Sequence, residues 1–323
     1  MKLIGKIQPL FRAGMARNIS LTMISFVILA ASGILINIFV VAARDSASLG
    51  VFNQAYSIYI VVSQFAVSGI HYSVMRNAAF HEDSRLELGR ILSSAILPSV
   101  ILGALFAIAL FFAEPWLSRI FDSAQTGRAI SISALGLILF PLNKVLISFI
   151  NGLRHMAAFA FLHALRYVIV AIVAIGVAFS RLPFEYALYC FLVAEAVTCL
   201  LALAYIASRR LCELRLPDMH WITRHFVFGG KSMAAGLFGE INTRIDVLML
   251  GLFLSDSDVG IYSFAAFVLD GLFHLLAMLR VNFNPYLVGA LRDKKQDDLD
   301  ALLRKTRVRV PLAMAVLSIL AIA

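Results

Sequence analysis

Long, nearly uninterrupted apolar runs set the organisation of this chain. They cover roughly residues 19–43, 51–75, 88–113, 129–150, 159–179, 184–206, 229–254 and 259–288, and an incomplete run starts near Val308. Each complete run supplies the roughly 20 helical residues that a hydrocarbon layer demands. Hydrocarbon offers no partners to backbone N–H and C=O groups, so spanning segments are helices or a closed barrel, and unbroken apolar runs select helices. The pattern predicts an all-α, polytopic integral membrane protein with eight full spans and an unfinished ninth. Residues 1–18 are basic and precede an apolar run, as in a leader peptide, but 19–43 exceeds the roughly 7–15 residues of a cleavable apolar core. It is read as the first span.

Composition agrees. Of 323 residues, 61% are hydrophobic and 15% charged, and the mean hydropathy is +0.89, which excludes a soluble domain with one core. The net charge of +9 does not indicate nucleic acid, because the basic residues gather at span ends outside any nucleic-acid module. Cys190, Cys199 and Cys212 have no metal-ligand spacing and are expected to be reduced and structural. Neither a metal nor a cofactor is called for. Counting Lys and Arg loop by loop puts nineteen on the side of the N-terminus and four, Arg44, Arg119, Arg128 and Arg181, on the other. Basic loops stay in the cytoplasm, so the N-terminus is expected there.

A faint repeat accompanies the runs. Ser48-Leu-Gly-Val-Phe-Asn-Gln-Ala55 joins spans one and two, and Asp258-Val-Gly-Ile-Tyr-Ser-Phe-Ala265 joins spans seven and eight, at an offset of 210. Both occupy the outer hairpin that opens a unit, with six spans between them, as in a parallel repeat. The expected domains are a six-helix bundle over 1–206 and the start of a second over 207–323, in a sequence that is expected to be truncated.

Charged side chains inside spans cost about 2.5–3.5 kcal/mol each to insert and are functional candidates by default. In span seven, Glu240 and Arg244 stand four apart, able to pair on one helical face, and Asp246 follows. Such a pair can simply neutralise the helix, or Arg244 can hold an anionic head group while a carboxylate answers a coupling ion. The guanidinium fork suits phosphate. Gly229, Gly230, Gly236 and Gly239 would permit close helix approach. Span eight carries Asp270 and His274, four apart, either a proton-exchanging pair or a packing hydrogen bond, followed by Arg280, Asn282, Asn284 and Pro285. Glu195 in span six has no basic neighbour in sequence, so its partner comes from another helix or it is protonated. Lys144 and Arg166, nearer the cytoplasmic ends of spans four and five, are best accounted for by snorkelling; facing inward they would form a basic funnel suited to a diphosphate. His71 and His163 are expected to pack rather than ligate, and Lys231 is a fifth intramembrane cation. Gly229-Gly-Lys-Ser lacks the glycine spacing of a phosphate-binding loop.

The hairpin around Leu49-Gly-Val-Phe, its echo Val259-Gly-Ile-Tyr-Ser-Phe-Ala, the stretch Asn242 to Gly251 with Asp246-Val-Leu-Met-Leu-Gly, and Phe264 to Tyr286 ending Asn-Phe-Asn-Pro-Tyr resemble the O-antigen type flippases. These form the polysaccharide-export branch of the multidrug/oligosaccharidyl-lipid/polysaccharide exporter superfamily. The resemblance implies a MATE-like pair of six-helix bundles around a cationic cavity. It implies that a polyprenyl-diphosphate-linked oligosaccharide moves from the cytoplasmic to the outer leaflet of the inner membrane, without enzymatic chemistry. Alternating access would be driven by a proton or sodium gradient, as in an antiporter, with membrane lipid and polysaccharide-assembly proteins as partners. On that reading Arg244, Arg280, Lys144 and Arg166 bind substrate, and Glu240, Asp246, Asp270, His274 and Glu195 couple the ion. The chain departs from the family by ending inside span nine. A cation-coupled multidrug exporter shares the architecture but favours acidic sites, and a membrane glycan ligase or polymerase needs a larger outer loop than these.

Overall fold

The computed structural model describes residues 2–266 apart from Leu214, with side chains from Ser20 onward except those of Thr22 and Ala235. The chain divides into two compact units, residues 1–263 and 264–323. Most of the predicted eighth span and the start of a ninth, with Asp270, His274, Arg280, Asn282, Asn284 and Pro285, lie outside the described residues.

Helix α1 (Lys2–Ala43) contains the first apolar stretch, Met23–Ala43. Helix α2 (Ser46–Val67) opens on an N-cap in which the Asp45 carboxylate accepts the Ser48 N–H at 2.7 Å. It stops at Ser68 and Gly69, both left-handed (φ 47° and 66°), and α3 (Ile70–Phe80) continues at an angle of 52°. Helix α4 (Arg85–Phe112) is capped by Ser84, with Glu87 three residues on, and is followed by the short α5 (Glu114–Ile120). Helices α6 (Ala124–Leu137) and α7 (Phe140–Gly152) form a second bent pair, at 44°, with Pro141 in the first turn of α7 where no N–H is needed. Helix α8 (Met156–Ala178) and a 3₁₀ turn (Phe184–Leu188) leading into α9 (Tyr189–Ser208) complete the first six runs.

The predicted spans 51–75 and 129–150 are therefore broken. Two consecutive left-handed residues end α2, and the ring of Pro141 cannot continue the hydrogen bonds of α6. Among the described residues, four helices are long and apolar enough to cross a membrane singly, and the two bent pairs do so together. The predicted run 229–254 becomes α10 (Met219–Asn242), which starts ten residues earlier, and α11 (Ile245–Gly251). Helix α10 falls short of the apolarity of the other spans, being interrupted by Lys231, Glu240 and its glycines. Residues 256–266 are again helical.

The interior is built on aromatic contacts. Tyr59 of α2 stacks on Phe191 of α9 with centroids 4.5 Å apart and meets Phe140 of α7 edge-on at 5.6 Å. Two of the four basic residues that the loop count sets apart from the rest also shape the bundle. The Arg44 guanidinium donates to the carbonyls of Ala178 (2.8 Å), Ser180 (2.6 Å) and Leu182 (2.8 Å), closing the C-terminal end of α8. Arg128 pairs with Glu185 at 3.2 Å.

Of the four glycines expected to permit close approach in α10, Gly229 does so: a Cβ there would meet the Ser68 carbonyl at 2.6 Å. Its counterpart Gly69, left-handed, would place a Cβ 2.2 Å from the Gly229 carbonyl. Gly230 and Gly239 have nothing within 4 Å. Gly69→Ala is accordingly expected to cost at least about 1–2 kcal/mol through the positive φ and the backbone collision, whereas Gly230→Ala gains up to about 1 kcal/mol of helix propensity. Thermal unfolding of the two purified variants checks the sign of each change. Equal melting temperatures would show that the α3–α10 contact is looser than the structure has it.

Candidate functional site

Four helices place polar groups around one carboxylate. Glu195 of α9, 1% exposed, accepts from Arg166 Nε of α8 at 2.5 Å, from Asn143 Nδ2 of α7 at 2.5 Å and from the Tyr59 hydroxyl of α2 at 3.5 Å. Asn143 Nδ2 also reaches Thr198 Oγ1 at 2.7 Å, and that hydroxyl donates to the Ala194 carbonyl at 2.6 Å. Arg166 is 8% exposed and its guanidinium lies over the rings of Phe140 (5.2 Å) and Tyr167 (5.3 Å). A paired, hydrogen-bonded charge is the form in which an ionised group survives burial.

An aromatic stack links this hub to the predicted seventh span. Tyr59 stacks on Phe191, Phe191 on Tyr56 at 5.5 Å, and the Arg244 guanidinium caps Tyr56 at 4.7 Å. The Lys144 ammonium lies 5.6 Å from the Phe140 centroid, within electrostatic reach of Arg166, Glu195 and Glu240. Lys144, Arg166, Glu195, Glu240 and Arg244 thus share one neighbourhood, Arg166 and Glu195 buried and the other three half-buried, with three cations against two carboxylates among the described residues. Two donors in it, Arg166 Nη2 and Arg244 Nε, are buried without an acceptor among the described residues.

Several sequence expectations change here. Glu240 and Arg244 form no ion pair: α10 ends at Asn242, and the N–H groups of Thr243 and Arg244 bond three residues back, to Glu240 and Ile241. The four-residue helical spacing that would have paired them is lost in that tight turn. Arg166 does not snorkel, because Glu195 holds it inside; of the two alternatives for Glu195, a partner from another helix or protonation, that ion pair supplies the first. Asp246 accepts from the Tyr262 hydroxyl at 2.8 Å and from the Val247 N–H at 2.8 Å, which ties α11 to segment 256–266. His71 lies against Tyr72, with centroids 3.9 Å apart, and His163 sits among Phe26, Phe159 and Tyr167.

Sequence reasoning missed Asn143, Tyr59, Thr198 and Tyr56. The pair Asn143-Lys144 in an otherwise apolar run was the available signal. It also missed Asp256, whose carboxylate accepts from Gln54 (2.8 Å), Ser123 (2.6 Å) and Thr126 (3.0 Å), joining α2 and α6 to segment 256–266. Among the described residues, no group of three His, Cys, Asp or Glu side chains is placed to hold a metal ion.

Comparison with known proteins bears on what this arrangement serves. Residues 45–319 match the family described as polysaccharide biosynthesis protein. No curated protein sequence matches. Among solved structures, the chain is similar to the MATE multidrug transporter DinF-BH (TM-score 0.64, 16% identity, covering 96% of this chain and 71% of that one). It is similar to an outward-facing multidrug resistance MATE family transporter of the MOP superfamily (TM-score 0.56, 16% identity, 90% of this chain and 76% of that one). A third similar structure is a MOP superfamily transporter from Pyrococcus furiosus, whose binding pocket is described as having reverse polarity (TM-score 0.51, 15% identity, 79% of this chain and 62% of that one). Identities this low establish the fold. The chain spans about two thirds of the length of the structures it resembles, 64% in one further case.

Proposed function

The chain belongs to the family of polysaccharide biosynthesis proteins, and from that premise we propose that it moves a polyprenyl-diphosphate-linked oligosaccharide from the cytoplasmic to the outer leaflet of the cytoplasmic membrane. A glycan cannot enter hydrocarbon while its polyprenyl tail can stay there. The carrier therefore needs a polar interior that holds the diphosphate and opens to each side in turn. The observation that carries the reading is the cationic excess of this site among the described residues: Lys144, Arg166 and Arg244 share a neighbourhood with Glu195 and Glu240, and Arg166 Nη2 and Arg244 Nε are buried with no acceptor among those residues. Guanidinium donors of this kind match phosphate oxygens.

In this reading Arg244, Arg166, Lys144 and Arg280 bind the head group. Glu240, Asp246, Glu195, Asp270 and His274 are the groups through which a proton or sodium gradient drives the cycle. The N-terminal six-helix bundle, residues 1–206, works against a second bundle that begins at residue 207, with the N-terminus in the cytoplasm. The runner-up is a multidrug exporter, favoured by the fold shared with MATE transporters; the excess of positive charge among the described residues of the site is the wrong polarity for a cationic drug.

The test puts the complete protein in liposomes and compares movement of a polyprenyl-diphosphate oligosaccharide with that of a lipophilic cation. The lipid-linked sugar is expected to move and the cation to stay. Arg244→Ala is expected to slow sugar movement at least tenfold, the equivalent of one charge-assisted hydrogen bond of about 1.5–3 kcal/mol, without changing membrane insertion. Transport of the cation alone would replace this reading with the exporter.

A further inference from the structure

A second cationic site lies outside the interior cluster. Helix α10 is fixed against α3 and α4 by the buried His225, whose Nδ1 meets Ser73 Oγ at 2.9 Å and whose Nε2 meets the Ile91 carbonyl at 3.0 Å, and by Trp221 Nε1 donating to Glu87 at 2.8 Å. Between α3 and α10 this leaves a cleft of about 630 Å³, lined by Arg76 from α3 and by His220, Thr223, Arg224, Phe228 and Lys231 from α10, among others. Helical geometry makes the α10 set one stripe: Arg224, Phe228 and Lys231 follow at four and then three residues.

Nothing among the described residues opposes the charge in this cleft. Among the described residues, no carboxylate lies within salt-bridge distance of Arg76, Arg224 or Lys231. None of the described residues that line the cleft is acidic, and nearby Glu87 is engaged by Trp221 and by Arg90 at 3.3 Å. Aromatic faces hold the cations in place: Arg76 sits 4.9 Å from the Phe228 centroid and 5.5 Å from Phe80, and Arg224 sits 4.9 Å from Trp221. Two guanidinium forks and one ammonium make a recognition set for phosphate oxygens.

The surroundings are those of a site at the edge of a bilayer. Phe80 is 72% exposed, Met219 is 73% exposed, and Val227 is exposed beside them. A soluble anion needs no such apolar border, whereas an amphiphile places its phosphate on the cations and its chains along the border. Loop charges assign this end of the bundle to the cytoplasmic leaflet.

We propose that the α3–α10 cleft binds the phosphate or diphosphate head group of a membrane lipid through Arg76, Arg224 and Lys231, as a site separate from the interior cluster. Two lipids carry that chemistry, the polyprenyl diphosphate of the proposed cargo and an anionic phospholipid of the leaflet. Only the first identity rests on the flippase reading. Occupied by the cargo lipid, the cleft is a loading site; occupied by a phospholipid, it fixes α10 at the interface.

The complete protein in zwitterionic nanodiscs can be titrated separately with a fluorescent polyprenyl diphosphate, with phosphatidylglycerol and with inorganic diphosphate. One or both lipids are expected to bind saturably, at least tenfold tighter than inorganic diphosphate. Affinity should fall at least tenfold in Arg76→Gln/Arg224→Gln/Lys231→Gln and stay unchanged in Arg209→Gln/Arg210→Gln. Which lipid binds names the source, and either supports the site. An unaltered affinity in the triple variant overturns it, as does inorganic diphosphate binding as tightly as the lipids. Should the triple variant fail to fold, the wild-type protein still decides, because binding carried by exposed cations must weaken as salt rises from roughly 0.05 to 0.5 M; salt-independent binding overturns the proposal. Transport is measured apart from binding, so absent sugar flipping with intact cleft binding defeats the flippase reading alone.

Discussion

Arg166→Ala is expected to destabilise the folded protein by about 3–5 kcal/mol, because it strands Glu195 without its ion-pair partner in a site only 1% exposed. Asn143 and Tyr59 would remain as donors, which hydrogen-bond the carboxylate but supply no positive charge. Removing both partners has a different expected result. Arg166→Met/Glu195→Leu fills comparable volume without a charge, and buried pairs replaced in this way are commonly neutral or stabilising. The double variant should recover most of the melting temperature lost in Arg166→Ala, measured on detergent-purified protein. Flipping separates structure from function: a stable double variant that no longer moves lipid-linked sugar assigns the pair to transport. A double variant that is both stable and active would leave Glu195 and Arg166 as packing alone and remove them from the proposed carrier.

That pair also shows where reading the sequence stops. The class of fold was legible because lipid accepts few solutions: apolar runs of spanning length imply helices whatever the tertiary contacts. Glu195 and Arg166 were each visible as expensive charges, but nothing local joins residues 29 positions apart on different helices. Snorkelling was the natural alternative while Arg166 was judged from its place along one run. The Glu240–Arg244 spacing misled for a related reason, since an i,i+4 rule assumes the helix continues. Asn242-Thr243, two weak helix formers, marks its end. Likewise Ser68-Gly69 and Pro141 carried the two bends, and hydropathy averaged across them. Arg44 counted only as one of the rare outer cations, and its four carbonyl acceptors around the end of α8 become visible only when α1 and α8 are packed together.

Cross-linking Ser46→Cys to Ser257→Cys is expected to reduce transport to background and to restore it on reduction. The two hydroxyls are 2.7 Å apart, where α2 crosses the helical segment 256–266. The crossing is reciprocal. A Cβ on Gly50 would lie 1.8 Å from the Asp256 carbonyl, and a Cβ on Gly260 would lie 1.9 Å from the Ser46 carbonyl. These glycines are the ones related by the 210-residue offset of the sequence repeat, and Ser46 and Asp256 share that offset. Equivalent positions of two repeats that touch one another in this mutual way are related by a local two-fold, the symmetry about which parallel repeats rock in alternating access. The Asp256 carboxylate, bonded to Gln54, Ser123 and Thr126, adds a polar clasp beside the crossing. If the proposed carrier opens at this end, the glycine contact and the clasp must both part, and a covalent bond between residues 46 and 257 forbids it. Gly50→Val supplies the complementary arm, since its branched side chain has no room against the Asp256 backbone and should prevent the cross-link from forming. Full transport by a quantitatively cross-linked protein would mean that the crossing stays closed throughout the cycle, and the opening would then have to be sought at another pair of helices.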